Sequence, residues 1–410
     1  MKQYVIIGNG TAAAGCLEGI RSVDDEARIT LISAEPHSVY CRPLISYYLE
    51  GKTDLERIRY RPEDFYRTNR AEVLYGRRAE HIDMERKEIR LDDGGTLPYD
   101  ALCVAAGSSP FVPPMEGLDG VREKYTFMTL DDTLAIEKAV RADSRVLIVG
   151  AGLIGLKCAE GLHGRVGSIT VCDLAGRVLS SILDDDSAAF VQRHLEDNGI
   201  SFLLGDSVAH FEGQRAYMKS GAQVDFDILI LAVGVRANTA LVRENGGACT
   251  RGITVNMRME TSLPGIYAAG DCTESTDVSD GTVKVMALMP NAYMQGRCAG
   301  INMAGGDAVF DQAIPMNAIG FFGLHILTAG SRTGELYEDS SDTHIKKLFV
   351  QDGRLNGFIL IGEVGRAGIY TDMIRKRTPI EEIDFNCMKK SPNLFAFSEE
   401  YRRKILGGVI

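Results

Sequence analysis

No two of the nine cysteines stand at C-x-x-C or C-x-x-x-x-C spacing. That dispersal excludes a zinc ribbon and a disulfide framework, and it reads as small buried side chains in a reducing compartment. No run of about 18 apolar residues occurs, so no membrane-spanning helix is expected. The strand "YVIIG" begins almost at Met1, which leaves no room for a signal peptide and predicts a cytoplasmic protein. Basic charge is also in short supply. The net charge of −11 argues against a nucleic-acid or anionic-membrane partner. Tryptophan is absent, and so are an H-E-x-x-H motif, a low-complexity segment and a Ser/His/Asp constellation. Neither a resident metal nor hydrolytic chemistry is therefore expected.

What the chain does contain is one unit twice. "YVIIGNGTAAAGCLEGI" (4–20) and "RVLIVGAGLIGLKCAEGL" (145–162) each read as a buried strand, a glycine turn and a helix. Each is followed by a second strand that closes on an acid, Glu35 in "RITLISAE" and Asp173 in "SITVCDLA". Two doubly wound nucleotide domains are the expectation, giving an α/β fold. The tail changes character. "HIKKLFVQDGRLNGFILIG" (344–362) alternates around a D-G turn like an antiparallel hairpin, and "RAGIYTDMIRKR" (366–377) reads as a helix. A small C-terminal α+β domain is expected there.

In the first turn, Gly8 permits the tight bend, Gly10 lets the backbone approach a pyrophosphate, and Ala13 stands at the usual third glycine. The helix N-terminus then offers free N–H groups and a positive dipole to phosphates. Glu35 can accept hydrogen bonds from both ribose hydroxyls of an adenosine. FAD and NAD both fit this turn. "GIYAAGD" ends a strand on Asp271, whose carboxylate can hold a ribityl hydroxyl, and a helix starts in "NAYMQGRCAGINMAGG" (291–306). In the second turn Gly150, Gly152 and Gly155 repeat the roles. Asp173 would bind the ribose hydroxyls of NADH and repel a 2′-phosphate, and "LAGR" supplies a single cation, Arg177. NADH is expected over NADPH.

The order GxGxxA, acid, "AAG" at 105–107, GxGxxG, "AVGVRANT" and "IYAAGD" resembles the FAD-dependent pyridine nucleotide–disulfide oxidoreductase superfamily along nearly the whole chain. "EPHSVYCRPLISYYLEG" and "LNGFILIGEVGRAGIYTDMIR" resemble the NADH–rubredoxin reductases and the flavoprotein part of nitrite reductases. The resemblance implies glutathione-reductase-type FAD and NAD domains, Rossmann-like in both cases. FAD would take 1–115 with 239–312, NAD 116–238, and the α+β domain 313–410. It further implies that Gly8, Gly10, Ala13, Glu35, Arg42, Pro43, Ala79, Ala106, Gly107, Asp271 and Gln295 hold FAD. Gly150, Gly152, Gly155, Asp173 and Gly234 would hold NADH. In "AVGVRAN", Ala237 replaces the proline of the family loop.

Relatives of the disulfide type carry a redox cysteine pair, or a single redox cysteine, in the segment that here reads "RPLISYY". The nearest thiol, Cys41, precedes Arg42 and lies off that position. It is read either as a packed side chain or as an unconventional redox thiol. Without a thiol relay, electrons from NADH stop on the flavin and leave from it. That suits a small iron–sulfur carrier such as rubredoxin or ferredoxin, with flow in either direction. An NADH oxidase or peroxidase using O2 or peroxide is the alternative, and an electron-transfer subunit of a larger redox complex is another. The chain lacks the sirohaem and iron–sulfur segments of a complete nitrite reductase.

One residue departs from the family turn. Many relatives have Glu two positions past the last glycine, paired with a Lys from the segment after the arginine. Here those positions are Lys157 and Tyr47. Lys157 either snorkels to solvent or sits at the flavin edge beside Tyr47, where it would favour the anionic reduced flavin. Two further features carry expectations. The stretch 366–404 holds nine Lys/Arg against six acids, including Lys389, Lys390, Arg402, Arg403 and Lys404, and reads as a solvated face or a dock for an acidic carrier. His325, in an apolar segment, reads as a core histidine.

Overall fold

Unbroken apolar runs make the strands of two parallel sheets. In Tyr4–Ile7 and again in Val146–Val149 every residue is buried, as expected of strands covered on both faces. The computed structural model describes residues 1–406. It divides into two compact units, the first made of 1–273 and 292–309, the second of 274–291 and the chain from 310 onward.

The first unit holds both parallel sheets. One orders its strands Ile266–Ala268, Ala101–Val104, Gln3–Ile7, Arg28–Ser33 and Ala71–Tyr75. The other orders Ile200–Leu204, Ser168–Asp173, Arg145–Val149, Ile228–Leu231 and Lys124–Thr126. Each sheet places the strand that leads into a glycine turn at its centre, flanked by the strand that ends near an acid. Each half also carries a three-stranded antiparallel meander, Ala79–Asp83 with Glu88–Leu91 and Thr96–Pro98, and Val208–Glu212 with Arg215–Met218 and Gln223–Asp225. The fold is therefore α/β with two Rossmann-like cores. A two-stranded ribbon, Ser108–Pro110 against Val235–Ala237, joins the two halves.

The helix after the first turn, Thr11–Arg21, lies backbone to backbone against the helix Met289–Met303. A Cβ at Gly15 would meet the Tyr293 carbonyl at 2.4 Å, and one at Gly296 would meet the Ala12 carbonyl at 1.9 Å. Only hydrogen fits at that crossing, so side-chain size there sets how deep the helix carrying Gln295 is seated.

The second unit is a five-stranded antiparallel sheet ordered Met316–Phe321, Leu324–Gly330, Arg354–Ile361, Ile345–Gln351 and Glu335–Ser340. The hairpin turns at Asp352-Gly353, both with positive φ, as the D-G pair predicts. Leu348, Phe358 and Leu360 pack with Tyr370, Met373 and Ile374 of the helix Ala367–Arg375. His325 is exposed rather than a core residue, because on its strand Ile326 takes the inward position.

Candidate functional site

Gly8 leaves its strand with φ +117 and donates its N–H to Ile32 O at 2.8 Å. Gly10 follows as the N-cap of Thr11–Arg21, without a side-chain cap, and a Cβ there would touch nothing within 4 Å. The first-turn N–H groups have no side-chain cap and the space beside Gly10 is clear, as at an anion site. Ala13 is fully buried on the same helix.

Three charged groups converge around this turn. The Glu35 carboxylate accepts a hydrogen bond from Tyr40 Oη at 2.6 Å and a second from the Arg42 guanidinium. Arg42 also donates to Met128 O at 2.9 Å, and Tyr40 Oη accepts from the Leu130 N–H at 3.0 Å. Burial alone would lower the Arg42 pKa, but the neighbouring Tyr40, Glu35 and Asp271 outweigh it and raise it. Asp271 is thus within electrostatic reach of Arg42. Burial raises its own carboxyl above the ordinary range, with Arg42 pulling the other way. The Asp271 turn is held from behind, for Gly270 N–H donates to Gln295 Oε1 at 2.8 Å. Gln295 is buried, with that amide oxygen given to the turn.

The remaining residues of the first set line the surrounding loops. The carbonyls of Ala106 and Gly107 accept from Asn238, at 2.9 Å from its side chain and 3.0 Å from its N–H. Pro43 lies in the short helix Arg42–Leu44, and Ala79 opens the first meander strand. Two partners carry no sequence motif. Asn9 donates to His37 O at 3.1 Å and accepts from Tyr66 Oη at 2.6 Å, tying the glycine turn to the loop beyond Glu35. The one available hint was a polar residue between two glycines. Cys41 is half-buried, and burial raises its thiol pKa despite a hydrogen bond from the Leu44 backbone, the reverse of what activates a cysteine.

The second turn repeats the backbone. Gly150 has φ +117 and donates to Cys172 O at 2.7 Å, and Gly152 caps the helix Leu153–Leu162 with open space beside it. At Gly155 a Cβ would meet Gly150 O at 2.0 Å. Asp173 accepts from the N–H groups of Ala151 and Ala175, each at 2.7 Å. Arg177 is drawn aside by Asp185 at 2.8 Å, so the loop's cation is already engaged. Gly234, φ +114, precedes the joining ribbon.

The two halves meet where the helix Ile45–Leu49 lies on Leu153–Leu162. A Cβ at Gly161 would come within 2.9 Å of Ser46 O. At this crossing the Lys157 ammonium sits over the Tyr47 ring, 4.7 Å from its centroid. Lys157 also bonds Glu160, one turn along its own helix; their side chains are 17% and 6% exposed. Lys157 therefore does not snorkel outward. Tyr48 donates to Glu137 at 3.0 Å and Arg165 to Leu49 O, pinning the short helix from its other side. Glu160 had no signal in the sequence beyond its spacing from Lys157.

In the second unit Lys389 lies 5.3 Å from the ring centroids of both Tyr337 and Phe385. Arg402 donates to Phe395 O and Phe397 O, and Arg403 pairs with Glu399 at 2.7 Å. The Lys404 side chain lies outside the described residues. No cluster able to hold a metal ion occurs among the described residues. Nor is any helix among them long and apolar enough to cross a membrane.

With two glycine-capped helix ends open and a desolvated acid beside the first, the chain fits two dinucleotides. The profile of the pyridine nucleotide-disulphide oxidoreductase family matches residues 2–296. The chain belongs to that family. It is an oxidoreductase that works with FAD and NAD(P)H. It is 29% identical over 391 residues to the NADH-dependent phenylglyoxylate dehydrogenase subunit epsilon of Aromatoleum evansii, covering 92% of each chain. It is 31% identical over 393 residues to the nitrite reductase [NAD(P)H] of Bacillus subtilis, 93% of this chain but 48% of that one, so it spans about half that relative's length. Among solved structures, the covalent putidaredoxin reductase–putidaredoxin complex superposes with a TM-score of 0.88 at 23% identity, over 100% of this chain and 99% of that one.

Proposed function

We propose that the chain takes electrons from NADH and passes them to a small iron–sulfur carrier protein, a rubredoxin or ferredoxin. The observation that carries this reading is the crossing of Ile45–Leu49 with Leu153–Leu162. Relatives of the disulfide type keep a redox thiol in this segment, and here Tyr47 and Lys157 meet instead. The nearest thiol, Cys41, has a raised pKa. FAD held here would supply hydride acceptance and one-electron release, which matches a one-electron metalloprotein acceptor.

In this reading Gly8 and Gly10 admit the FAD pyrophosphate, Arg42 braces Glu35 beside it, and Glu35 and Asp271 hold its sugar hydroxyls. Gln295 fixes the Asp271 turn, and Ala13, Pro43, Ala79, Ala106 and Gly107 shape the walls. Gly150, Gly152, Gly155 and Gly234 admit the second dinucleotide. Asp173 selects NADH, because a 2′-phosphate would face its carboxylate with Arg177 already paired to Asp185. The segments 1–115 and 239–312 bind FAD, 116–238 bind NADH, and 313–410 form the remaining domain. Nine dispersed cysteines, none in a disulfide, suit the cytoplasm.

Anaerobic reduction by NADH, followed by mixing with rubredoxin, ferredoxin or O2, tests the proposal. Rapid reoxidation by a carrier supports it. If O2 consumption matches NADH oxidation at a high rate and the carriers add nothing, the chain is an oxidase instead. A second reading, an electron-transfer subunit of a larger redox complex, is favoured by the end-to-end likeness to a dehydrogenase subunit. Flavin reduction by NADH with no free carrier accepting the electrons would select it.

A further inference from the structure

Lys157 follows the glycine turn of the second sheet, and Tyr47 follows Arg42 of the first site; their side chains meet. The crossing joins the helix that leaves the second glycine turn to the short helix that follows Arg42. A bare ammonium here would favour electron-rich flavin strongly, since little solvent screens it. It is not bare. Glu160, at i+3 on the same helix face and almost fully buried, bonds it directly. Lys52, 2.5 Å from Glu50, is near enough that Glu160 and Tyr47 add to the rise in its pKa, after the larger effect of Glu50.

We infer that Glu160 is a positioning residue: it holds Lys157 across the Tyr47 ring and offsets its charge, so that the Lys157–Glu160 balance sets the potential of the bound flavin. This rests on the reading, implied by the resemblance, that Lys157 sits at the flavin edge beside Tyr47. Removing the acid leaves the cation; removing the cation leaves the acid. The two changes therefore act with opposite sign, which a merely structural pair would not do.

The test is dye-coupled potentiometry of the FAD-loaded protein for wild type, Glu160→Gln, Lys157→Met and the double variant, with NADH absent. Glu160→Gln is expected to shift the potential upward and raise the reduced fraction several-fold at a fixed dye potential. Lys157→Met is expected to shift it downward, and the double variant to return towards wild type. Glu160→Asp, which keeps the charge, should restore a near-native potential and serves if Glu160→Gln folds poorly. An unchanged or lowered potential in Glu160→Gln, or shifts of one sign in both single variants, overturns the inference. The carrier assays on wild type are independent. Carriers that fail while the opposite shifts are seen sink the acceptor assignment and leave this inference standing.

Discussion

Gly8 and Gly150 share φ +117, and a Cβ on either would strike a carbonyl oxygen of the neighbouring strand's end, Ala105 at 2.1 Å and Ala232 at 2.2 Å. Beyond that shared backbone the turns diverge in how their acids are held. Asp173 accepts from two backbone N–H groups, one of them in its own glycine turn. Glu35 accepts from two side chains, Tyr40 and Arg42, which in turn reach the backbone at Leu130 and Met128 in the other half. The shorter acid is anchored locally, whereas the longer one belongs to a clasp between halves. The second site is thus preset by its own turn, and the first depends on a loop far away in sequence.

The sharpest way to probe this contrast is to block each turn. An alanine at φ +117 costs at least about 1–2 kcal/mol before the carbonyl clash is counted. Gly8→Ala is expected to lose FAD retention by at least about tenfold, equal to 1.4 kcal/mol, read from the flavin-to-protein absorbance ratio. Gly150→Ala should keep its flavin and raise the KM for NADH by at least about tenfold. Equal flavin loss in both would erase the distinction between the turns.

A smaller effect separates the acids. Glu35→Gln removes a charge-assisted bond to Arg42 and should cost about 1.5–3 kcal/mol of stability, seen as a lower Tm in the FAD-free protein. Asp173→Asn keeps an acceptor for one backbone N–H and sets its NH2 against the other, a loss confined to the turn that should lower Tm by less, at a cost of about 1 kcal/mol. Its functional cost falls on the nucleotide, with an NADH KM raised about fivefold and weaker discrimination against NADPH. A Tm loss for Asp173→Asn as large as that for Glu35→Gln would contradict the clasp.

The subtlest effect is on pH. Burial raises the Asp271 carboxyl, only partly countered by Arg42. In the FAD-free protein this group adds stability below its ordinary titration range, and that contribution is lost as pH rises through the raised pKa. In the proposed complex a ribityl hydroxyl would donate to the carboxylate and act oppositely. FAD affinity should be highest above the raised pKa and fall as pH drops through it. Flavin fluorescence titrations between about pH 4 and pH 8 measure this, and Asp271→Asn should flatten the curve. An equally steep curve in the variant would assign the dependence to another group.

Much of this was legible in the chain itself. Strand, glycine turn, helix and following acid occupy contiguous residues, so periodicity and a few glycines suffice to place them. The D-G hairpin was legible for the same reason, since its conformation is local to Asp352 and Gly353. His325 was misread because an apolar neighbourhood does not say which face of a strand points inward. Tyr40, Asn9 and Tyr66 were missed because Tyr40 reaches Leu130, Asn9 reaches His37 and Tyr66 reaches Asn9, contacts made through folding and not through spacing.

By itself the sequence determined the two dinucleotide turns, the acids that follow them and the want of a paired thiol, because each is a property of adjacent residues. Only the tertiary structure decided that Glu35 is clasped while Asp173 is capped, and that Gln295 stands behind Asp271. It alone showed that Lys157 lies between Tyr47 and Glu160. Those are matters of which segments touch, and contact between distant segments is settled by packing two helices and two sheets against one another at close range.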